Sequence, residues 1–146
     1  MNNKVLLSLL TTTALVGFTP IPTLAHGKPE HGGTFTEVRE YTFEVVSKEQ
    51  DEEKEESAEK EKQPHQEKMA FTVYVKDPSL KAVTAGSGSL KVSEGNKQVA
   101  EAPLAASGNA FKADTTLPHH GHYRVSVDFT PEGKKPLKAS IAIKVD

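Results

Sequence analysis

From Tyr123 to Phe129 the chain alternates strictly: Tyr123, Val125, Val127 and Phe129 are apolar or aromatic, and Arg124, Ser126 and Asp128 between them are polar. A repeat of two sends successive side chains to opposite faces of an extended strand, one toward a core and one toward water. The same rhythm recurs in Tyr41, Phe43 and Val45, in Phe71, Val73 and Val75, and in Ala139, Ile141, Ile143 and Val145. Shorter runs stand at Leu90 with Val92 and at Phe111 with Ala113. Gly, Pro, Asn and Ser punctuate the runs. Gly86-Ser87-Gly88 reads as a turn ahead of Leu90, and Glu94-Gly95-Asn96 as a hairpin leading toward Val99. Half-buried antiparallel strands spaced by turn signals predict an all-β sandwich of seven or eight strands.

Gly121-His122-Tyr123-Arg124-Val125 narrows the type of sandwich. Immunoglobulin-like domains place a tyrosine at the start of their strand F, two residues before an inward core residue, with its hydroxyl bonded back to the chain upstream. Here Val125 stands at the inward position. The chain has no Cys and no Trp, which argues against an antibody-type domain and for a fibronectin-like or cupredoxin-like variant. Without cysteine there is no disulfide, no thiolate nucleophile, no Cys-ligated zinc or iron–sulfur site and no blue-copper centre. Neither a Gly-x-Ser-x-Gly elbow nor a phosphate-binding glycine loop is present. At 146 residues the chain holds one domain, too little for a multidomain enzyme.

Lys4, the apolar stretch from Val5 to Phe18 and Thr23-Leu24-Ala25 have the layout of a secretory signal peptide over 1–25, cleaved after Ala25. No apolar run reaches the roughly 18 residues that a spanning helix needs, and no cysteine near the cleavage point would take a lipid. The expected location is periplasmic or secreted. Removing 25 of 146 residues leaves 121, with 17 Lys and Arg against 20 acids, a net of −3. Nucleic acid is a poor partner for such a balance. From Ser47 to Lys68, nine acids and five lysines concentrate a net of −4, with no aliphatic side chain larger than Ala before Met69. This stretch, 47–68, is expected to be a solvated, disordered acidic insertion in a sandwich spanning 34–146.

Five of the six histidines form two clusters. His26 and His31 lie in a His/Gly-rich segment, 26–33, ahead of the first strand, and His119, His120 and His122 enter the Tyr123 strand. His65 falls in the acidic insertion. Neutral imidazole is a common metal ligand, and residues two apart on a strand point to one side, so His120 and His122 are candidates to share an ion. After cleavage, His26 would offer both a ring nitrogen and an α-amine. With Met69 the only thioether, imidazole, amine and carboxylate donors favour Cu(II), Zn(II) or Ni(II) over Cu(I). Eight strands that reverse at each connection would bring both clusters to one end of the sandwich, and seven would place them at opposite ends.

His31-Gly32-Gly33, Tyr41-Thr42-Phe43-Glu44-Val45-Val46, Phe71-Thr72-Val73-Tyr74-Val75-Lys76-Asp77, Gly88-Ser89-Leu90-Lys91-Val92 and Ala102-Pro103-Leu104 together resemble a family of small exported bacterial proteins, over most of residues 31–129. The resemblance implies an association with heavy-metal efflux or copper handling, and a periplasmic efflux component as a partner. The acidic insertion departs from the family pattern.

The expected function is that of a non-enzymatic periplasmic copper or zinc carrier, buffer or sensor. His26, His31, His119, His120 and His122 are the candidate ligands, with His65 and Glu30 in reserve. Two alternatives remain open. One is a small copper-brace oxidase built on an amino-terminal His26. The other is an envelope interaction module that needs no metal.

Overall fold

The computed structural model describes residues 29–50 and 66–146. The expected signal peptide, His26, His65 and the centre of the acidic insertion lie outside the described residues. Nine strands follow in order: β1 Thr34–Val38, β2 Tyr41–Glu49, β3 Glu67–Lys76, β4 Gly86–Glu94, β5 Lys97–Pro103, β6 Ala105–Ser107, β7 Ala110–Leu117, β8 Gly121–Pro131 and β9 Leu137–Val145. No helix occurs among the described residues, and so none long and apolar enough to cross a membrane.

The strands form two antiparallel sheets, one ordered β1-β2-β3-β7-β6 and the other β5-β4-β8-β9. Taking β2 to β9 as strands A, B, C, C′, D, E, F and G, the sheets become ABED and GFCC′. This is the immunoglobulin arrangement, with β1 added as an extra edge strand. The Tyr123 hydroxyl, at the start of β8, donates to the backbone oxygen of His119 at 2.5 Å and closes the tyrosine corner. The chain therefore folds as an antiparallel, immunoglobulin-like β-sandwich.

The ninth strand has a simple origin. Only Leu104 separates β5 from β6, yet β5 belongs to the four-stranded sheet and β6 to the five-stranded one. One extended segment thus switches sheets, and the chain reverses direction as an eight-stranded sandwich would. Two further expectations are corrected. Gly86-Ser87-Gly88 is not a turn but the start of β4, paired residue for residue with Thr130, Phe129 and their neighbours on β8. A Cβ on Gly88 would lie 2.1 Å from the backbone oxygen of Asp128, so glycine marks a close approach of two strands. The acidic insertion is also shorter than its composition suggests. The β2–β3 ladder continues through Ser47↔Phe71 and Lys48↔Ala70 to Glu49↔Met69, and Gln50 then donates to the Lys68 oxygen. Backbone pairing holds these polar residues in strands regardless of their charge.

The core is the inward face of both sheets. Phe43, Phe71, Phe111, Phe129, Leu90, Leu117 and eight β-branched or alanine positions of β3, β8 and β9 are buried there. Phe111 and Phe129 meet at a tilt of 58° with centroids 4.7 Å apart across the sandwich, and Phe43 meets Phe129 edge-on at 6.3 Å. Each such ring contributes about 1.5–3 kcal/mol through burial, as does each buried aliphatic side chain around it. One charged residue is buried as well. Glu44 points away from this core, to the outer face of β2, yet is only 6% exposed.

Candidate functional site

Glu44 is covered because the chain ahead of β1 folds across the outer face of the five-stranded sheet. Its carboxylate accepts four hydrogen bonds from that segment. Oε1 takes the backbone N–H of His31 at 2.8 Å and of Gly33 at 3.1 Å, and Oε2 faces the backbone N–H of Glu30 at 3.1 Å and the Nδ1 of His31 at 3.0 Å. The His31 ring lies flat on Tyr74, the cross-strand partner of Glu44, with centroids 3.6 Å apart and planes within 2°. Glu30 pairs with Lys76 on the same face at 2.7 Å. The two glycines answer two different needs. Gly32 has φ of +77°, open to glycine and strained for other residues, and a Cβ on Gly33 would lie 2.5 Å from the Val45 oxygen. The chain can therefore turn at Gly32 and press against β2 at Gly33, which brings the backbone donors of Glu30, His31 and Gly33 onto one carboxylate.

Burial pushes the Glu44 carboxyl upward, but the hydrogen bonds from the His31 ring and from the backbone of Gly33, His31 and Glu30 outweigh it and hold the group below its ordinary value. Glu44 is thus ionised at neutral pH and acts only as an acceptor. The His31 side chain remains about one-third exposed.

The second cluster is built differently. His119, His120 and His122 sit between β7 and the first residues of β8, at the pole where β2 ends and β3 begins. There the Nε2 of His120 meets Glu67 at 3.1 Å, and the Nε2 of His119 meets Glu94 at 3.4 Å. The Nδ1 of His119 lies 2.7 Å from the His120 oxygen. Burial raises the Tyr123 hydroxyl pKa and the nearby charge of Glu94 adds to it, while the bond to the His119 oxygen opposes both. Asp146 is held below its ordinary value by its bond to Lys144 and that lysine's charge, with His120 and His122 contributing. His122 is therefore in electrostatic range of the chain's last residue, but this is an exposed corner.

The two clusters do not converge. His31 stacks on Tyr74 and His120 pairs with Glu67, seven residues away along β3, a separation of roughly 23 Å at strand spacing. Both β1 and β8 do start toward the same pole, but β1 begins opposite Val45, short of the end of β2 at Glu49. The segment carrying His31 has by then turned onto the sheet face. Among the described residues no three His, Asp or Glu side chains are grouped so as to hold a metal ion. What the geometry offers is one oriented imidazole at the first cluster and two imidazole–carboxylate pairs at the second. His26 lies five residues before His31, within about 17 Å of extended chain.

His31 stands out in the sequence, whereas Glu44 and Tyr74 do not. The one mark of Glu44 is an acid inside an apolar run, Phe43-Glu44-Val45, downstream of His31-Gly32-Gly33. Glu67 and Glu94, which pair with His120 and His119, were missed for lack of any local mark. Comparison of the chain with protein-family models, with curated proteins and with solved structures yields no match.

Proposed function

We propose that the chain is a non-catalytic exported β-sandwich that binds Cu(II) or Zn(II) through histidine, in the role of a carrier, buffer or sensor beside a metal-efflux system. The observation that carries this reading is the Glu44–His31 pair. A carboxylate that holds one imidazole nitrogen and leaves the other free to bind is the arrangement that surrounds metal-bound histidines. The donor set of the chain fits such an ion: imidazole and carboxylate, with no thiolate. In this proposal His31 is the principal ligand and His26 supplies a second imidazole and the amino terminus. His119, His120 and His122 form a weaker site at the opposite part of the sandwich. Equilibrium dialysis of the chain starting at His26 should retain about one equivalent of Cu(II) or Zn(II), by the usual stoichiometry of such sites, and His31→Ala should lose most of it. No retained metal, or retention unchanged in His31→Ala, rejects the proposal.

A second reading is an envelope interaction module, which the immunoglobulin-like sandwich with loops gathered at its ends suits equally well. A melting temperature that does not move on adding either metal would support it, because an ion that binds only the folded state must stabilise that state.

A further inference from the structure

We propose that Glu44 is a positioning residue that sets the tautomer of His31, holding the proton on Nδ1 and leaving Nε2 as an unprotonated donor. The use of that lone pair for a metal rests on the function proposed above; the tautomer itself does not.

The argument is one of hydrogen-bond capacity. Glu44 is a carboxylate, so all four of its contacts must be N–H groups donating to it. Three are backbone amides and admit no choice. The fourth, Nδ1 of His31, can be a donor or an acceptor in a neutral ring, and opposite a carboxylate it must be the donor. The remaining nitrogen, Nε2, is then the one without a proton. It has no hydrogen-bond partner among the described residues, and the side chain is 32% exposed. Two further contacts fix where the ring points. The backbone N–H of the same residue is tied to Oε1 at 2.8 Å, and the ring plane is pinned on Tyr74 at 3.6 Å. A clamp that served only to hold down the segment would need the three amides and not the ring.

Glu44→Gln separates the two roles. The amide oxygen in place of Oε1 can still accept from the His31 and Gly33 amides, and of the three backbone bonds only that from Glu30, which Oε2 accepts, is lost. The NH2 in place of Oε2 can only donate, so Nδ1 must become the acceptor and the proton must move to Nε2. Long-range nitrogen–proton NMR correlations at pH 8, where a free imidazole is neutral, read the tautomer directly in the full exported chain without metal. We expect Nδ1–H in the wild type and Nε2–H in Glu44→Gln, and a loss of Zn(II) affinity of about tenfold to a hundredfold in the variant. A wild-type His31 protonated on Nε2 alone overturns the proposal, and so does a docked Glu44→Gln that keeps Nδ1–H; an unchanged Zn(II) affinity rejects the use of Nε2 for the metal. If the substitution detaches the segment, the wild-type spectrum alone decides. A wild type with Nδ1–H that binds no Zn(II) upholds the tautomer assignment and rejects the metal-binding function.

Discussion

His31 and His120 each meet a glutamate at almost the same distance, 3.0 Å to Glu44 and 3.1 Å to Glu67. The two pairs nevertheless differ in kind. Glu44 is 7% exposed at the side chain and accepts three amides besides the ring, whereas Glu67 is 20% exposed and its partner His120 54%, against 32% for His31. A buried acceptor orders everything that donates to it, because each donor it releases must find water or remain unpaired. An exposed pair competes with solvent and with its own side-chain entropy, and contributes about 0–1 kcal/mol. Two histidine clusters that look alike as sequence are, in the fold, one fixed element and one adaptable surface.

The largest effect should come from removing the fixed element's acceptor. Glu44→Ala takes away the partner of four donors and should cost about 2 kcal/mol or more. The amides of His31 and Gly33 should lose hydrogen-exchange protection while those of Val73 and Val125, in the central strands, keep theirs. Acid should produce the same detachment without a mutation. The Glu44 pKa is depressed in the folded chain, so the stabilisation is fully present above the ordinary carboxylate value of 4.5 and is lost as pH falls through the lower folded value. Amide signals of residues 30–33 followed from pH 6 downward should change only below 4.5. A transition near pH 6 would place the controlling group elsewhere and dissolve the contrast between the two regions.

Tyr123→Phe should rank next. It deletes the hydroxyl that donates to the His119 oxygen but leaves the ring in the core, so the expected loss is about 1–1.5 kcal/mol. Chemical denaturation would measure it, with an unchanged m-value as the sign that only the folded state has been altered. Because the bond anchors the connection that carries His119 and His120, the variant should broaden their NMR signals and leave that of His31 alone. Equal broadening at His31 would mean that the clusters communicate across the roughly 23 Å between them, contrary to the geometry.

These residues also show what could be read in advance. The strand from Tyr123 to Phe129 and the tyrosine corner were legible because period two and the Tyr-x-Val spacing are local patterns with a single structural meaning. The β1–β2 turn was not. Arg39 and Glu40 have φ of 49° and 68°, a pair of left-handed residues of the kind normally supplied by Asn-Gly, and tertiary pairing of Val38 with Tyr41 imposes that turn on two residues with no such preference. Gly86-Ser87-Gly88 misled in the opposite sense, since glycine signals a tight turn and a close strand approach equally well. Glu44 was invisible for a different reason. Its burial comes from a segment that returns from 11 to 14 residues upstream, and alternation predicts only that it faces out. The imidazoles could be named from the sequence, but their partners could not, because ring–carboxylate pairing depends on which strands the topology brings together.

The smallest effect is the sharpest test of the comparison. His120→Gln retains a polar side chain at the corner and removes the ring nitrogen that meets Glu67. If the pair is a surface contact, stability should change by less than about 0.5 kcal/mol and the change should shrink further in high salt. His31→Gln, by contrast, breaks the stack on Tyr74 and leaves Oε2 of a buried carboxylate short of its ring donor, so it should cost more than His120→Gln at every salt concentration. Equal losses would show that Glu67 orders its histidine as Glu44 does. The corner would then be a second fixed imidazole, and the difference in burial between the two glutamates would not be what separates the clusters.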